Sequence, residues 1–223
     1  NEDIYAVRYY GDKAYVVTFL RTDPLYVIDL SNPVSPFISG ELEIPGYSSY
    51  LQPLNENFVL GIGQQVDPNN NGGLISVDES DSEFTEGAKA ELYDVSNPNN
   101  PVVAATIVYG GQYSVAEWDY HALTQLQVSD TEFKFAFPLA GWNQVTNESG
   151  DTSWNYSQSL QLLEVDISST GTLTNIGNLA PEADYYGQWG DRGVLHGDIV
   201  YYIRNNQVFQ SYWSNPDVLN GGF

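Results

Sequence analysis

The chain of 223 residues carries 29 Asp and Glu against 7 Lys and Arg, a formal net charge of -22, with two histidines and no cysteine. Basic residues this few and scattered cannot build the footprint that tracks a phosphate backbone, which excludes nucleic acid and anionic membrane surfaces as partners. The lack of cysteine excludes disulfides, thiolate catalysis and Cys-based metal sites, and no apolar stretch approaches the roughly 18 residues of a membrane span, so no direct membrane insertion is expected.

In chain order, Ile4 to Tyr10 and Ala14 to Phe19 are aromatic and β-branched runs joined by Gly11-Asp12, a hairpin signal. Leu25 to Leu30 and Phe37 to Ile44 follow as a third and a fourth strand. Pro33 and Pro36 between them cannot donate ladder hydrogen bonds, so Ser31 to Pro36 must turn. A second set runs Tyr47 to Gln52, Asn57 to Gly63, Ala90 to Val95 and Val102 to Tyr109, with a polar insertion at 64–87. The third set is Ser114 to Thr124, Phe133 to Pro138, Ser159 to Val165 and Thr172 to Asn178, with an insertion at 140–156. The fourth gives Gly193 to His196, Ile199 to Arg204 and Gln207 to Trp213, after which Ser214 to Phe223 reads as a turn-like tail. Nowhere do apolar residues hold a 3.6-residue spacing, so the chain reads as all-β.

The sets are copies of one another. Asp29, Ser31, Asn32 and Pro33 return at one constant offset as Asp94, Ser96, Asn97 and Pro98, and Asp166 marks an eroded third copy. Repeated four-stranded antiparallel units, each with an apolar face that only a neighbour can cover, are blades of a β-propeller. About 3.5 blades are visible, short of the four to eight that close a ring, so residues 1–223 read as one propeller domain, a fragment of one, or a partial ring. A second copy or the remainder of a larger precursor would then cover the missing blade surface. The opening residues show no signal-peptide pattern and read as the interior of a processed or longer protein.

Val7 to Phe19, Thr22 to Pro33, Gly40 to Leu51, Leu60 to Gly63, Glu91 to Pro98 and Tyr120-His-Ala carry a resemblance to secreted or surface proteins of bacteria and archaea. Those proteins have a C-terminal β-propeller domain distantly related to WD repeats. The resemblance implies the fold and a secreted or cell-surface location; it offers no catalytic set to carry over.

Three groups of residues could carry chemistry. In the first insertion, Asp67, Asn69, Asn71, Gly73 and Asp78, with Glu79 adjacent, place oxygen ligands and a glycine bend at the spacing that wraps a short chain around Ca²⁺. The same composition is also that of an ordinary solvent loop. Asp119 two residues before His121, and His196 two before Asp198, would share a face in strands of consecutive blades, as an alternative metal or proton site or as braces between blades. Trp118, Trp142, Trp154 and Trp189 could stack on a ligand or fill the wedges between blades. No Gly-x-Ser-x-Gly elbow or phosphate-cradling loop is present, so no catalytic residue is assigned.

The composition fits an acidic protein of a saline or marine habitat, since carboxylate repulsion is screened by salt. The function expected is a non-catalytic extracellular binding or scaffold module working through propeller loops on a protein or carbohydrate ligand, with calcium as the cofactor that would steady it. A metal-dependent hydrolase or redox accessory protein acting on an extracellular substrate is the alternative.

Overall fold

A computed structural model describes residues 3–19, 23–66, 76–78, 81–146, 151–182 and 190–222. The fold is all-β and built from repeated antiparallel sheets, as the repeat predicts. The first sheet runs β1 (Asp3–Tyr10), β2 (Lys13–Phe19), β3 (Asp23–Asp29) and β4 (Phe37–Ile44), in that order. The second comprises β5 (Tyr47–Pro53), β6 (Phe58–Val66), β7 (Ser76–Asp78), β8 (Asp81–Asp94) and β9 (Val102–Gly110), with β8 pairing β6, β7 and β9. The third holds β10 (Gln112–Ser114), β11 (Thr124–Gln127), β12 (Glu132–Thr146), β13 (Thr152–Asp166) and β14 (Thr172–Leu179). β15 (Arg192–His196), β16 (Ile199–Arg204), β17 (Gln207–Tyr212) and β18 (Asn215–Gly221) form the fourth.

Two compact units result: Asn1–Gly110 with Ile167–Leu173, and Gly111–Asp166 with Thr174–Phe223. In the first, Leu25 and Val27 on β3 and Tyr15 and Val17 on β2 pack with Leu51, Val59 and Tyr93 of the second sheet and with Val95 just after β8. Alternate residues of β3 are buried, the period of a strand with one covered face. Residues 58–64 of β6 and 87–93 of β8 are instead buried throughout, so these central strands are covered on both faces. The second unit closes over Ala136, Leu160, Leu162, Leu179, Val200, Tyr202 and Trp213.

The repeated residues build repeated turns. Asp29, Asp94 and Asp166 end the third strands β3, β8 and β13, opposite the starts of the second strands at Lys13, Phe58 and Glu132. The Asp29 Oδ1 accepts the Ser31 amide at 2.8 Å and the Asp94 Oδ1 the Ser96 amide at 2.9 Å. Asn32 and Asn97 then accept the amides of Val34 and Asn99, so each copy places two side-chain-to-backbone turns in series. Bonds from Ser31 hold the Asp29 carboxyl below its ordinary range.

Three expectations are corrected. Ser214 to Phe223 is not a turn-like tail, because β18 pairs antiparallel with β17 and gives the fourth sheet its outer strand. Pro216 is tolerated there because an edge strand has one side on which no amide is needed. The Trp213 amide bonds the Asp198 carbonyl at 2.7 Å, as Leu30 bonds Asp12 and Val95 bonds Asn57, but the chain then departs from the earlier copies: Trp213-Ser214 turns directly into β18, so Asn215 and Pro216, which follow Ser214 as Asn32 and Pro33 follow Ser31, lie in the strand. Second, Ser114 to Thr124 is not one strand: short 3₁₀ turns at Val115–Glu117 and Tyr120–Ala122 separate β10 from β11. Third, strand pairing does not stop at Pro138, because β12 and β13 stay in register from Glu132↔Asp166 to Thr146↔Thr152. Pro138 falls between the stretches of β12 paired with β11 (133–136) and with β10 (139–141), where the interrupted first strand leaves a gap. The insertion at 140–156 is therefore built over 140–146 and 152–156 as an extended hairpin, and β6 and β8 likewise run on into the insertion at 64–87 as far as Val66↔Thr85.

Candidate functional site

The long hairpin and the interrupted first strand together assemble an aromatic surface in the second unit. Ser114 caps the first 3₁₀ turn: its Oγ accepts the Ala116 amide at 3.2 Å while Glu117 accepts the Ser114 amide at 2.8 Å. This reciprocal cap turns the chain so that Trp118 comes back onto Tyr113, ring centroids 5.6 Å apart. The Tyr113 and Tyr156 hydroxyls are 3.1 Å apart, and Tyr156 on β13 meets Trp142 on β12 edge-on at 5.4 Å. Four rings from distant positions thus form one continuous cluster. Its two ends remain half-exposed, Trp118 at 46% and Trp142 at 45%, and Tyr120, two positions after Trp118, is 55% exposed.

Polar groups frame the rings. Asp119 caps the second 3₁₀ turn by accepting the His121 amide at 3.1 Å, and Arg192 Nη2 donates to its other oxygen at 2.6 Å. Desolvation pushes the Asp119 carboxyl up, but the His121 amide and the Arg192 guanidinium outweigh it and lower its pKa. Deeper, the Asp191 Oδ2 accepts Gln158 Nε2 at 2.7 Å and the Tyr202 hydroxyl at 2.5 Å, and Arg204 Nη2 donates to Gln158 Oε1 at 3.1 Å. Burial raises the Asp191 carboxyl despite the opposing effects of Tyr202, Arg204 and Arg192. Burial also raises the Tyr156 and Tyr202 phenols, with Asp191 adding to the rise and Arg204 opposing it in both.

The residues singled out from sequence separate in the structure. Asp119 and His121 lie on 3₁₀ turns and not in a strand; the His121 Nδ1 is 3.5 Å from Asp119, with its side chain 89% exposed. His196 ends β15, and Asp198 sits in the Gly197-Asp198 hairpin turn, where Gly197 has φ +61° as Gly11 has +59° in the equivalent Gly11-Asp12 turn. Asp198 accepts the Ser214 hydroxyl at 2.9 Å and lies 4.0 Å from Lys134. Among the described residues no three His, Asp or Glu side chains gather within reach of one metal ion. Of the stacking candidates, Trp118 and Trp142 join the cluster, Trp154 lies on β13 with a side chain outside those described, and Trp189 lies outside the described residues. Asp67, Asn69, Asn71, Gly73 and Glu79 lie outside them too, while Asp78 pairs with Asp81 between β7 and β8.

Sequence reading missed a second polar cluster, in the first unit. Lys89, Glu91 and Tyr93 alternate along β8 and so share a face, buried at 0%, 3% and 0%. Lys89 Nζ donates to Glu91 at 2.9 Å and to the Pro45 carbonyl at 2.7 Å. Glu91 also accepts the Tyr93 hydroxyl at 2.8 Å and the Thr106 hydroxyl at 2.9 Å, and Ser48 meets Tyr93 at 2.8 Å. The signal was present as polar residues alternating with Ala88, Ala90 and Leu92. Asp191, Arg192 and Arg204 gave no such signal.

An uncharacterized protein of Methanocaldococcus jannaschii is 42% identical over 136 residues, covering 61% of this chain and 18% of that protein. An uncharacterized protein of Archaeoglobus fulgidus is 37% identical over 144 residues, 64% of this chain and 19% of its own length. The chain thus spans less than a fifth of the length of these curated relatives. The crystal structure of the N-terminal domain of Nup159 aligns over 94% of this chain and 60% of its own at 14% identity, with a TM-score of 0.24. Among the described residues no helix is long and apolar enough to cross a membrane. The family described as beta propeller domain matches residues 1–215, and the chain belongs to that family.

Proposed function

We propose that this chain is a non-catalytic binding module that works outside the cell and takes its ligand on the aromatic surface of the second unit. The observation that carries the reading is the pair of half-exposed indoles, Trp118 and Trp142, each in ring contact with a tyrosine. Rings fixed in this way supply large contact area at little conformational cost, the property that makes Trp and Tyr dominant in binding surfaces. The titratable groups nearby are engaged structurally: Asp119 caps a turn and pairs with Arg192, and Asp191 is buried within its hydrogen bonds. The extracellular assignment is supported by the net charge of -22, which suits a saline medium, and calcium at Asp67 to Asp78 by the ligand spacing.

Turnover assays test this reading against a hydrolase. Chromogenic esters, phosphate esters and glycosides are incubated with the purified chain, with and without added Zn²⁺ or Mn²⁺. No turnover above buffer is expected. Metal-dependent turnover that disappears in Asp119→Ala or His196→Ala would overturn the binding-module reading.

A further inference from the structure

The local charge around the rings identifies the class of ligand. A protein with net charge -22 invites a basic partner, and exposed aromatic faces attract cations. At this surface, however, the acid is already answered. Asp119, next to Trp118, holds Arg192 at 2.6 Å, and Asp191, within electrostatic reach of Tyr156, is flanked by Arg204 at 3.9 Å. Two of the chain's seven basic residues are thus placed against Asp119 and Asp191, and a third nearby carboxylate, Glu117, is taken up by the Ser114 amide. A cationic ligand would find Arg192 in its way and, among the described residues, Asp119 beside Trp118 already paired.

A neutral ring with apolar faces and hydroxyl edges meets neither obstacle. Pyranose C–H faces lie flat on indoles, and their hydroxyls bond to groups that donate and accept side by side. The Asp119–Arg192 pair offers that combination, and both side chains remain 30% exposed while bonded to each other. The pair is rigid: Arg192 Nη1 also donates to the Asp191 carbonyl at 2.8 Å, and Asp119 is fixed by the turn it caps. Resting on the binding-module reading above, we propose that Trp118 and Trp142 are two stacking subsites for the sugar rings of a neutral polysaccharide, with Asp119 and Arg192 reading hydroxyls beside Trp118.

Affinity electrophoresis of the purified chain in native gels containing soluble β-glucan, mannan or galactan, one at a time, tests the assignment. At about 0.5 M salt, where screening acts within a few ångströms, at least one of the three should retard migration. Trp118→Ala and Trp142→Ala should each weaken that retardation about tenfold, the scale of one lost aromatic contact. Trp118→Phe, which keeps a ring, should retain most of it and also guards against a folding defect in the alanine variant. Arg192→Lys, which keeps the charge but loses the planar fork, should weaken retardation without a change in salt dependence. Retardation by none of the three, or retardation unchanged in both alanine variants, would overturn the proposal. If oligolysine instead quenches tryptophan fluorescence at the same salt, and both alanine variants abolish the effect, the carbohydrate assignment falls while the binding module stands. The turnover assays above decide the module itself.

Discussion

Replacing Lys89 by Met keeps the length and volume of the side chain but removes the charge that answers Glu91 inside the second sheet. Lys89 is fully buried, 2.9 Å from the Glu91 Oε2 and 2.7 Å from the Pro45 carbonyl. Among the described residues the variant leaves a carboxylate at 3% exposure with the Tyr93 and Thr106 hydroxyls as its side-chain donors, and an acceptor at Pro45 without its lysine. Removing one partner of a buried ion pair costs about 3–5 kcal/mol, because the surviving charge stays desolvated. That is a large part of the roughly 5–15 kcal/mol that holds a domain folded. In Lys89→Met/Glu91→Leu the uncompensated charge disappears, Tyr93 keeps its 2.8 Å contact with Ser48, and the remaining cost is about 1–3 kcal/mol for the unpaired polar groups. Urea unfolding followed by circular dichroism should therefore rank the single variant below the double one. A single substitution costing less than about 1 kcal/mol, or a double variant showing the sum of the two singles, would refute the claim that the pair is desolvated and coupled.

Three further outcomes are expected. Gly46→Ala should destabilise the first unit by more than about 1 kcal/mol in urea, because φ is +80° and an added Cβ would lie 2.1 Å from the Gln64 carbonyl oxygen. Gly11→Ala, at φ +59° with nothing within 4 Å, should cost less. Asp191, raised by burial above its ordinary 3.8, favours the folded state fully only below that value, and its contribution is lost as pH rises through the raised folded pKa. Melting temperatures of Asp191→Asn should accordingly fall less than those of the unmodified chain as pH rises out of the acid range. Calcium should raise the melting temperature at constant ionic strength, with a dissociation constant of about 10⁻⁴–10⁻³ M, and substituting Asp67 and Asp78 together should abolish the rise.

Much of the architecture was legible in the chain because its causes are local. Asp29 and Asp94 with their Ser-Asn-Pro sequels form turns from side chains bonding amides two residues on, a contact needing no tertiary partner, and so the repeat and the all-β sheets could be read directly. The outer strand at Asn215 to Gly221 was not legible, because Pro216 reads as a breaker until the outer edge of the sheet makes its missing amide harmless. Exposed indoles at Trp118 and Trp142 were legible as candidates, but their assembly was not. Tyr113, Trp118, Trp142 and Tyr156 meet only through the β12–β13 register and a pair of 3₁₀ turns that sequence periodicity presents as one strand. Arg192 reaches Asp119 across 73 positions, and the burial that raises Asp191 depends on Gln158, Tyr202 and Arg204 from two other strands. Composition supplied the net charge of the whole chain; only the tertiary structure decided where that charge is cancelled, because pairing is a matter of distance in space and desolvation of what packs around it.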